Sequence, residues 1–402
     1  MKNTLGSYNT RILFWINFFS TISFIKPVLT LFYFERGINE TELVLIIMFW
    51  SGAVLIGEVP TGVFADRFGA KLSFLTGSFI RVISVGILIF AHEPWVFFLA
   101  SALSGLSVTF FSGADEALLY ESLKQSNDEE KMDSVMGKIQ SATFLTMIVT
   151  VLVGSYIAKD LAESQFFMLL IMSMAAQFVV VFLTLFVKEP SKMEYSKEHP
   201  FLHVGEGIKV IKKTPQLLWM FLNVSIVFIP AAAIFDNFDQ LILTEAGIPV
   251  ILIGVIYAIA AVLGFFASRS IGWMTKRYSA VMLMHVTGGF AVLSLLAISQ
   301  FGHSLWVVLV AFLILRFVRA VRYPIYSKLS NEFIPSNVRA TTISLLSVLD
   351  SVFDLIIMGT VASIAGFGLP TILIVCGFIA LVGTLLPIKR ATEEKIVEKL
   401  SV

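Results

Sequence analysis

Long apolar runs, separated by short polar stretches, follow one another along the whole chain. Each run has about 20 residues, the length with which a helix crosses roughly 30 Å of membrane hydrocarbon at about 1.5 Å per residue. The pattern therefore predicts an all-α integral membrane protein with about twelve transmembrane helices. The predicted spans are 11–34, 42–64, 72–91, 95–118, 139–158, 165–187, 217–240, 250–272, 281–300, 304–326, 340–363 and 368–388.

The composition supports a membrane protein. Of the 402 residues, 57% are hydrophobic and 14% are charged, whereas an ordinary soluble domain has roughly 25% charged residues. The first apolar run is too long for the core of a cleavable signal peptide and contains Lys26, so we expect it to remain in the mature protein. A single cysteine, Cys376, leaves no partner for a disulfide within the chain. We expect neither a metal nor a cofactor.

Positively charged side chains collect in every second loop. Of the loops on the other side, only two contain a lysine or arginine, Arg36 and Lys159. Because Lys and Arg favour the cytoplasmic side, this asymmetry predicts that both termini are cytoplasmic.

A polar stretch at 188–216, with three prolines and mixed charge, divides the spans into six and six. We interpret it as a solvated linker, with a regulatory segment as the alternative. The expected division is 1–187 for the first half, 188–216 for a cytoplasmic linker, 217–390 for the second half and 391–402 for a cytoplasmic tail.

The two halves share a short sequence repeat. GVFADRFGA at 62–70 aligns without gaps to GWMTKRYSA at 272–280, and each follows the second span of its half. An internal duplication of six spans is typical of transporters, whose substrate site lies between the repeats near the middle of the bilayer.

The stretch GVFADRFGAK at 62–71, preceded by GEVPT, resembles the motif G-x-x-x-D-R-x-G-R-K of the major facilitator superfamily. With the division into six and six, the resemblance covers the whole chain and implies the major facilitator fold and alternating access. It also implies an inside conformational switch at the motif, formed by Gly62, Asp66, Arg67, Gly69 and Lys71.

In that family the acidic residue contacts the start of the eleventh helix, which should begin here near Ser336 or Asn337. Two positions depart from the pattern: Ala70 replaces the usual arginine, and Lys276 occupies the place of the acid in the second copy.

A second stretch, GADEALLYESLK at 113–124, resembles a segment of a bacterial branch of the same superfamily. Members of that branch are mostly described as drug exporters. The resemblance implies a multi-pass protein of the bacterial cytoplasmic (plasma) membrane.

Charged residues within the eleventh and tenth spans are the first candidates for function, since burying a charge in lipid is costly. Asp350 and Asp354 lie four residues apart, on one helical face. Arg316 should lie at a similar depth, about 18 Å along its own helix. The pairing of Arg316 with Asp350 can be a static brace or a proton- or substrate-linked pair, and the two aspartates are the leading candidates for binding a proton or a cation. Arg319 and Arg322 are interpreted as interfacial anchors.

The first half offers a second group of membrane charges. Glu58 in the second span, Arg81 in the third, and Asp115 and Glu116 near the end of the fourth are predicted to form one buried cluster. Asp115 and Glu116 can alternatively reach cytoplasmic water. Glu58 is the second choice for proton coupling.

Three charges near the outer side form a third group. Lys26 in the first span and Asp236 and Asp239 in the seventh should lie at similar depth. Because the first and seventh helices of the family face each other, the resemblance implies an outer gate between Lys26 and one aspartate. For Asp239, extension of the side chain to the outer surface is the alternative.

These features favour a secondary active exporter that exchanges amphipathic or cationic small molecules for protons by alternating access. The alternative is a carrier of a specific, possibly anionic, metabolite that uses Arg316, Arg81 and Lys26. A receptor or assembly factor on a transporter scaffold is a third possibility, and an enzyme is not expected. Expected partners are a small-molecule substrate, protons and the lipid bilayer, without nucleic acid, for a chain that acts as a monomer.

Overall fold

The computed structural model describes residues 4–190, 211–212, 214–331, 333–334 and 339–389, and within these ranges the regular structure is helical, without strands. Nine helices of the described part are long and apolar enough to cross a membrane, and Leu369–Leu385 is a shorter apolar helix. The predicted all-α membrane fold is confirmed.

The first half of the chain contains eight α-helices. They are α1 (Leu5–Ser20), α2 (Leu29–Glu35), α3 (Glu40–Phe68), α4 (Ala70–Ile89), α5 (Pro94–Thr109), α6 (Ala114–Lys124), α7 (Met132–Ile157) and α8 (Glu163–Thr184).

The second half contains seven described α-helices and one π-helical segment. They are α9 (Pro215–Phe228), the π segment Ile229–Ile234, α10 (Phe235–Glu245), α11 (Val250–Arg277), α12 (Ala280–Phe301), α13 (Leu305–Asn331), α14 (Arg339–Ile364) and α15 (Leu369–Leu385).

Some predicted spans are composed of more than one helix. The first is broken between α1 and α2, where a 3₁₀ turn over Lys26–Val28 contains Pro27, whose ring fixes φ and removes a backbone donor. The fourth is divided into α5 and α6 near Gly113, which has a φ of 72°. The second span is longer than expected, since α3 continues through the motif to Phe68.

The chain divides into two compact units, Met1–Ser196 with Pro249–Ala258, and Lys197–Ile248 with Ile259–Val402. The predicted domain limits at 187 and 217 stay predictions. Residues 191–210 and 213 of the expected linker, and the expected tail at 391–402, lie outside the described residues.

Each unit has its own apolar core. The core of the first unit includes Leu13 of α1, Phe74 of α4 and Leu118 of α6, all at most 5% exposed. The core of the second includes Leu217 of α9 and Val321 of α13, both fully buried. These contacts position α1, α4 and α6 in the first unit, and α9 and α13 in the second.

The repeated motif occupies the same structural position in both halves. Gly69 is the single residue between α3 and α4, and the aligned residue of the second copy, Ser279, is the N-cap of α12. The Ser279 hydroxyl accepts a hydrogen bond from the Met282 amide at 3.1 Å. Both copies therefore join two long helices through a very short connection.

Candidate functional site

A π-helical turn interrupts the seventh span in the second unit. The turn covers Ile229–Ile234 and contains Pro230 near its start, where the missing amide hydrogen cannot complete the α-helical hydrogen-bond pattern. Such turns change the phase of a helix and are frequent at functional sites. The polar residues of the seventh span lie on both sides of this turn: Ser225 precedes it, and Asp236 and Asp239 follow it.

The aspartates after the turn form an ion-pair network with α13. Arg316 Nη1 lies 2.8 Å from Asp236 Oδ1, and Arg316 also pairs with Asp239. Arg319, one helical turn further along α13, pairs with Asp236. The guanidinium of Arg316 lies 4.8 Å from the centre of the Phe312 ring. Two acids and two bases thus balance each other in formal charge.

This network changes the interpretation of two predictions. Depth along the helices predicts that Arg316 lies beside Asp350, but the structure pairs Arg316 with Asp236 and Asp239 of the seventh span. The side chain of Asp239 has no exposed area, so the alternative that it extends to the outer surface is wrong.

The carboxylate pair on α14 has a different environment. The Ser225 hydroxyl donates a hydrogen bond to Asp350, and Asp354 lies one turn further along the same helix face. Both aspartates are half-buried. Among the residues that the structure describes, no lysine or arginine forms an ion pair with either.

Arg322 is completely buried, although its position toward the end of the tenth span predicts an interfacial anchor. Its guanidinium donates to the Met284 carbonyl, to the Thr287 hydroxyl at 3.1 Å, and to the carbonyl and Oδ1 of Asn223 at 2.8 and 2.5 Å. The anchor interpretation is wrong, because an anchor keeps its charged group in water or among lipid headgroups.

The charged residues of the first unit do not form the buried cluster that we predicted. Glu58 and Glu116 are exposed, and Asp115 and Arg81 are half-buried. In the described part of the chain, no ion pair joins Arg81 to any of the three acids. The expectation of burial fails for Glu58 and Glu116, and their role in coupling stays a prediction.

Lys26 lies in the break of the first span. It begins the 3₁₀ turn, and its side chain is exposed. The gate between Lys26 and Asp236 or Asp239 stays a prediction.

The motif at 62–71 is bound to residues that follow the end of α8. The Lys71 amide donates to Glu189 Oε1 at 3.1 Å, and the Lys71 ammonium donates to the Leu185 carbonyl at 2.6 Å. Asp66 and Arg67 are exposed at the end of α3. The expected contact of Asp66, the start of the eleventh helix near residues 336 and 337, lies outside the described residues.

Residues 12–356 match the family model of the Major Facilitator Superfamily. The chain belongs to this superfamily. As a member it is a multi-pass membrane transporter of small molecules and not an enzyme.

Relatives within the superfamily differ in how much of this chain they resemble. An MFS-type transporter of Bacillus subtilis (strain 168), YxaM, described as uncharacterized, is 22% identical over 376 residues, which cover 90% of each chain. The multidrug resistance protein MdtH of Yersinia enterocolitica is 34% identical, but over 98 residues that cover 24% of this chain and 23% of MdtH.

Solved structures of superfamily members share the fold. The nucleoside transporter NupG superposes with a TM-score of 0.76 at 13% identity, over the full length of both chains. A D-xylose-proton symporter superposes with a TM-score of 0.72 at 13% identity, over 98% of both chains. These identities support the major facilitator fold and do not identify a substrate.

Two features of the second unit were missed in the sequence, and one of them had a visible signal. Asn223 is an isolated amide within the apolar run LLWMFLNVSIVF, and a polar residue within a span usually has a partner. That partner is Arg322. The only indication of the π turn in the sequence is Pro230, and a proline alone does not predict that kind of turn.

Proposed function

We propose that this transporter exports amphipathic or cationic small molecules in exchange for protons, by alternating access. The proposal rests on one observation above the others, the half-buried carboxylates of Asp350 and Asp354 on one face of α14. Neighbouring acids in a membrane span favour the binding of a proton or a cation, since either one relieves their mutual repulsion.

The remaining charges of the second unit support a positively charged substrate. Arg316 is balanced by Asp236 and Asp239, and Arg319 shares Asp236. An anionic substrate would have to compete with these carboxylates, whereas a cation would meet an acid pair without a lysine or arginine partner among the described residues.

Aromatic side chains in the same unit provide apolar contact area for such a substrate. Tyr323 on α13 is 55% exposed, and its ring centre lies 6.4 Å from that of Phe228, which follows Ser225 on α9. Aromatic faces attract organic cations. The local similarity to MdtH, which is named a multidrug resistance protein, agrees with export of foreign compounds.

Transport of a specific metabolite is the second candidate. The named substrates of two solved relatives, nucleosides for NupG and D-xylose for the symporter, favour it. Arg81 also supports it, because this half-buried base makes no ion pair with a described residue. If that metabolite is anionic, Arg81, Arg316 and Lys26 would bind it.

The remaining structural assignments belong to the same proposal. We place both termini in the cytoplasm of a bacterium, with the protein as a monomer in the cytoplasmic membrane. Residues 1–187 and 217–390 would be the halves that move during alternating access, and the motif at 62–71 would control the inside. Glu58, Asp115 and Glu116 remain second candidates for proton coupling, and Lys26 remains the candidate for an outer gate.

Accumulation of fluorescent lipophilic cations in expressing cells tests the proposal. The wild type should lower accumulation, and a protonophore should abolish the difference. Asp350→Asn and Asp354→Asn should abolish it too, since amides cannot exchange the proton. Asp160→Asn is the matched control, because Asp160 lies in an exposed loop where its carboxylate accepts a hydrogen bond from Gln165.

Two results would contradict proton-coupled export. If the wild type and the empty-vector cells accumulate every cation equally, the substrate class is wrong. If export continues in Asp350→Asn, Asp354→Asn and the double variant, these carboxylates do not couple it. Loss of substrate binding in Arg316→Ala at fixed pH would favour the anionic alternative.

A further inference from the structure

The guanidinium of Arg322 is buried in the second unit without a carboxylate among its hydrogen-bond partners. A buried charge is costly unless it is well hydrogen-bonded. Here Asn223, Met284 and Thr287 supply four neutral acceptors. The arrangement therefore depends on α9, α12 and α13 keeping their mutual positions.

Asn223 extends this network to a fourth helix. Its side-chain amide donates to the Gly383 carbonyl of α15 at 2.8 Å, while its Oδ1 accepts from Arg322. A Cβ atom at Gly383 would lie only 2.9 Å from Ile226 side-chain atoms, so α9 and α15 are in close contact there. One side of α9 is thus fixed by a completely buried polar residue.

The opposite side of α9 carries the hydrogen bond to the acid pair. Ser225 follows Asn223 by two residues, which places the two side chains about 200° apart around the helix. Ser225 donates to Asp350 on α14. A rotation of α9 that broke the bonds of Asn223 would also move the Ser225 hydroxyl away from Asp350.

We infer that Arg322 is a positioning residue: through Asn223 it fixes the rotation of α9 and so holds the Ser225 hydroxyl on the Asp350 carboxylate. The effect of Arg322 on transport rests on the proposed role of Asp350 in proton or cation binding. The geometric part, the dependence of the Ser225 bond on Arg322, is testable without transport.

The first test measures how fast dicyclohexylcarbodiimide labels Asp350 in the purified full-length protein, read by mass spectrometry of the peptide. In the wild type the Ser225 bond restrains the carboxyl group. Ser225→Ala should raise the labelling rate by about fivefold, the change expected from loss of one hydrogen bond. Arg322→Lys should raise it by a similar factor, and the double variant should not exceed the larger single effect, because both remove the same bond.

Control variants separate positioning from general loosening. Gln216→Ala removes another hydrogen bond of α9, from Gln216 to the Pro387 carbonyl, and should leave the labelling rate unchanged. Gly383→Ala keeps Arg322 but pushes against Ile226, and should raise the rate as Arg322→Lys does. This variant keeps the inference testable if changes at Arg322 prevent folding.

Transport by reconstituted protein gives the second readout. Arg322→Lys should lower the turnover of the substrate-driven proton flux while leaving KM for the cation nearly unchanged, and Arg322→Met should lower it further. A wild-type protein without proton flux would refute the proposed function and leave the labelling test intact. The positioning role would be overturned if Asp350 is labelled faster in Ser225→Ala but at the wild-type rate in both Arg322→Lys and Gly383→Ala.

Discussion

Replacement of Gly69 by alanine should destabilise the connection between α3 and α4 in the first unit. Gly69 joins α3 to α4 with φ 90° and ψ 158°, a conformation that only glycine adopts readily. A Cβ atom there would also overlap the carboxyl group of Glu189, whose Cδ would lie 2.8 Å away. Alanine must therefore strain the backbone and displace Glu189.

The size of the effect follows from these two terms. The strained backbone conformation costs about 1–3 kcal/mol. Displacing Glu189 removes its hydrogen bond from the Lys71 amide, 3.1 Å long, which adds about 0.5–1.5 kcal/mol. Gly69→Ala should thus cost about 2–4 kcal/mol in free energy of unfolding.

The other glycine of the motif provides a matched control. Gly62 lies within α3, and a Cβ atom there would meet nothing within 4 Å. Because alanine is the better helix former, Gly62→Ala should stabilise the protein by up to about 1 kcal/mol. Two glycine-to-alanine substitutions seven residues apart should therefore change the free energy of unfolding in opposite directions.

Thermal unfolding in detergent, followed by tryptophan fluorescence, measures the difference. Gly69→Ala should lower Tm and Gly62→Ala should not. Combining Gly69→Ala with Glu189→Ala should cost less than the sum of the single effects, since the overlap is gone while the backbone strain remains. The reasoning would be refuted if Gly69→Ala unfolds at the Tm of the wild type, or if Gly62→Ala lowers Tm by as much as Gly69→Ala does.

Three further predictions concern other contacts. Asn39→Ala removes the N-cap of α3, where the Asn39 side chain accepts from a backbone amide, and should lower the free energy of unfolding by about 1 kcal/mol, read as a lower Tm. Arg316→Met should lower Tm more than Arg319→Met, because Asp239, a partner of Arg316, is fully buried and breaking a buried pair costs up to about 3–5 kcal/mol; equal losses would contradict this. Cys376 is fully buried, so a maleimide should label it only after denaturation, and rapid labelling of the native protein would show that the packing around α15 is wrong.

The membrane spans could be predicted from the sequence because their length and apolar character are local properties. The helix α13, which carries Arg316, Arg319 and Arg322, could also be predicted from the apolar residues around them, although it is not among the nine described helices that are apolar enough to cross a membrane. The break around Pro27 was not predicted, since a proline can kink a membrane helix without ending it.

The pairing of charges could be predicted only in part. Sequence position gives the depth of a residue along a helix, and depth placed Arg316 level with Asp350. It does not give the direction in which a side chain points once the helices have packed, nor the change of phase at the π turn before Asp236. The structure consequently pairs Arg316 with the acids of the seventh span.

The π turn divides the seventh span into two parts with different attachments. Before it, α9 is fixed by Asn223 and presents Ser225 to Asp350; after it, α10 is attached to α13 by ion pairs of Arg316. A segment with an interrupted α-helical hydrogen-bond pattern is where bending concentrates. If the span bends there during transport, the hydrogen bond at the acid pair can persist while the ion pairs rearrange, because the two sets of contacts lie on opposite sides of the hinge. Locating the bend before Ser225 in a second conformation would contradict this division of roles.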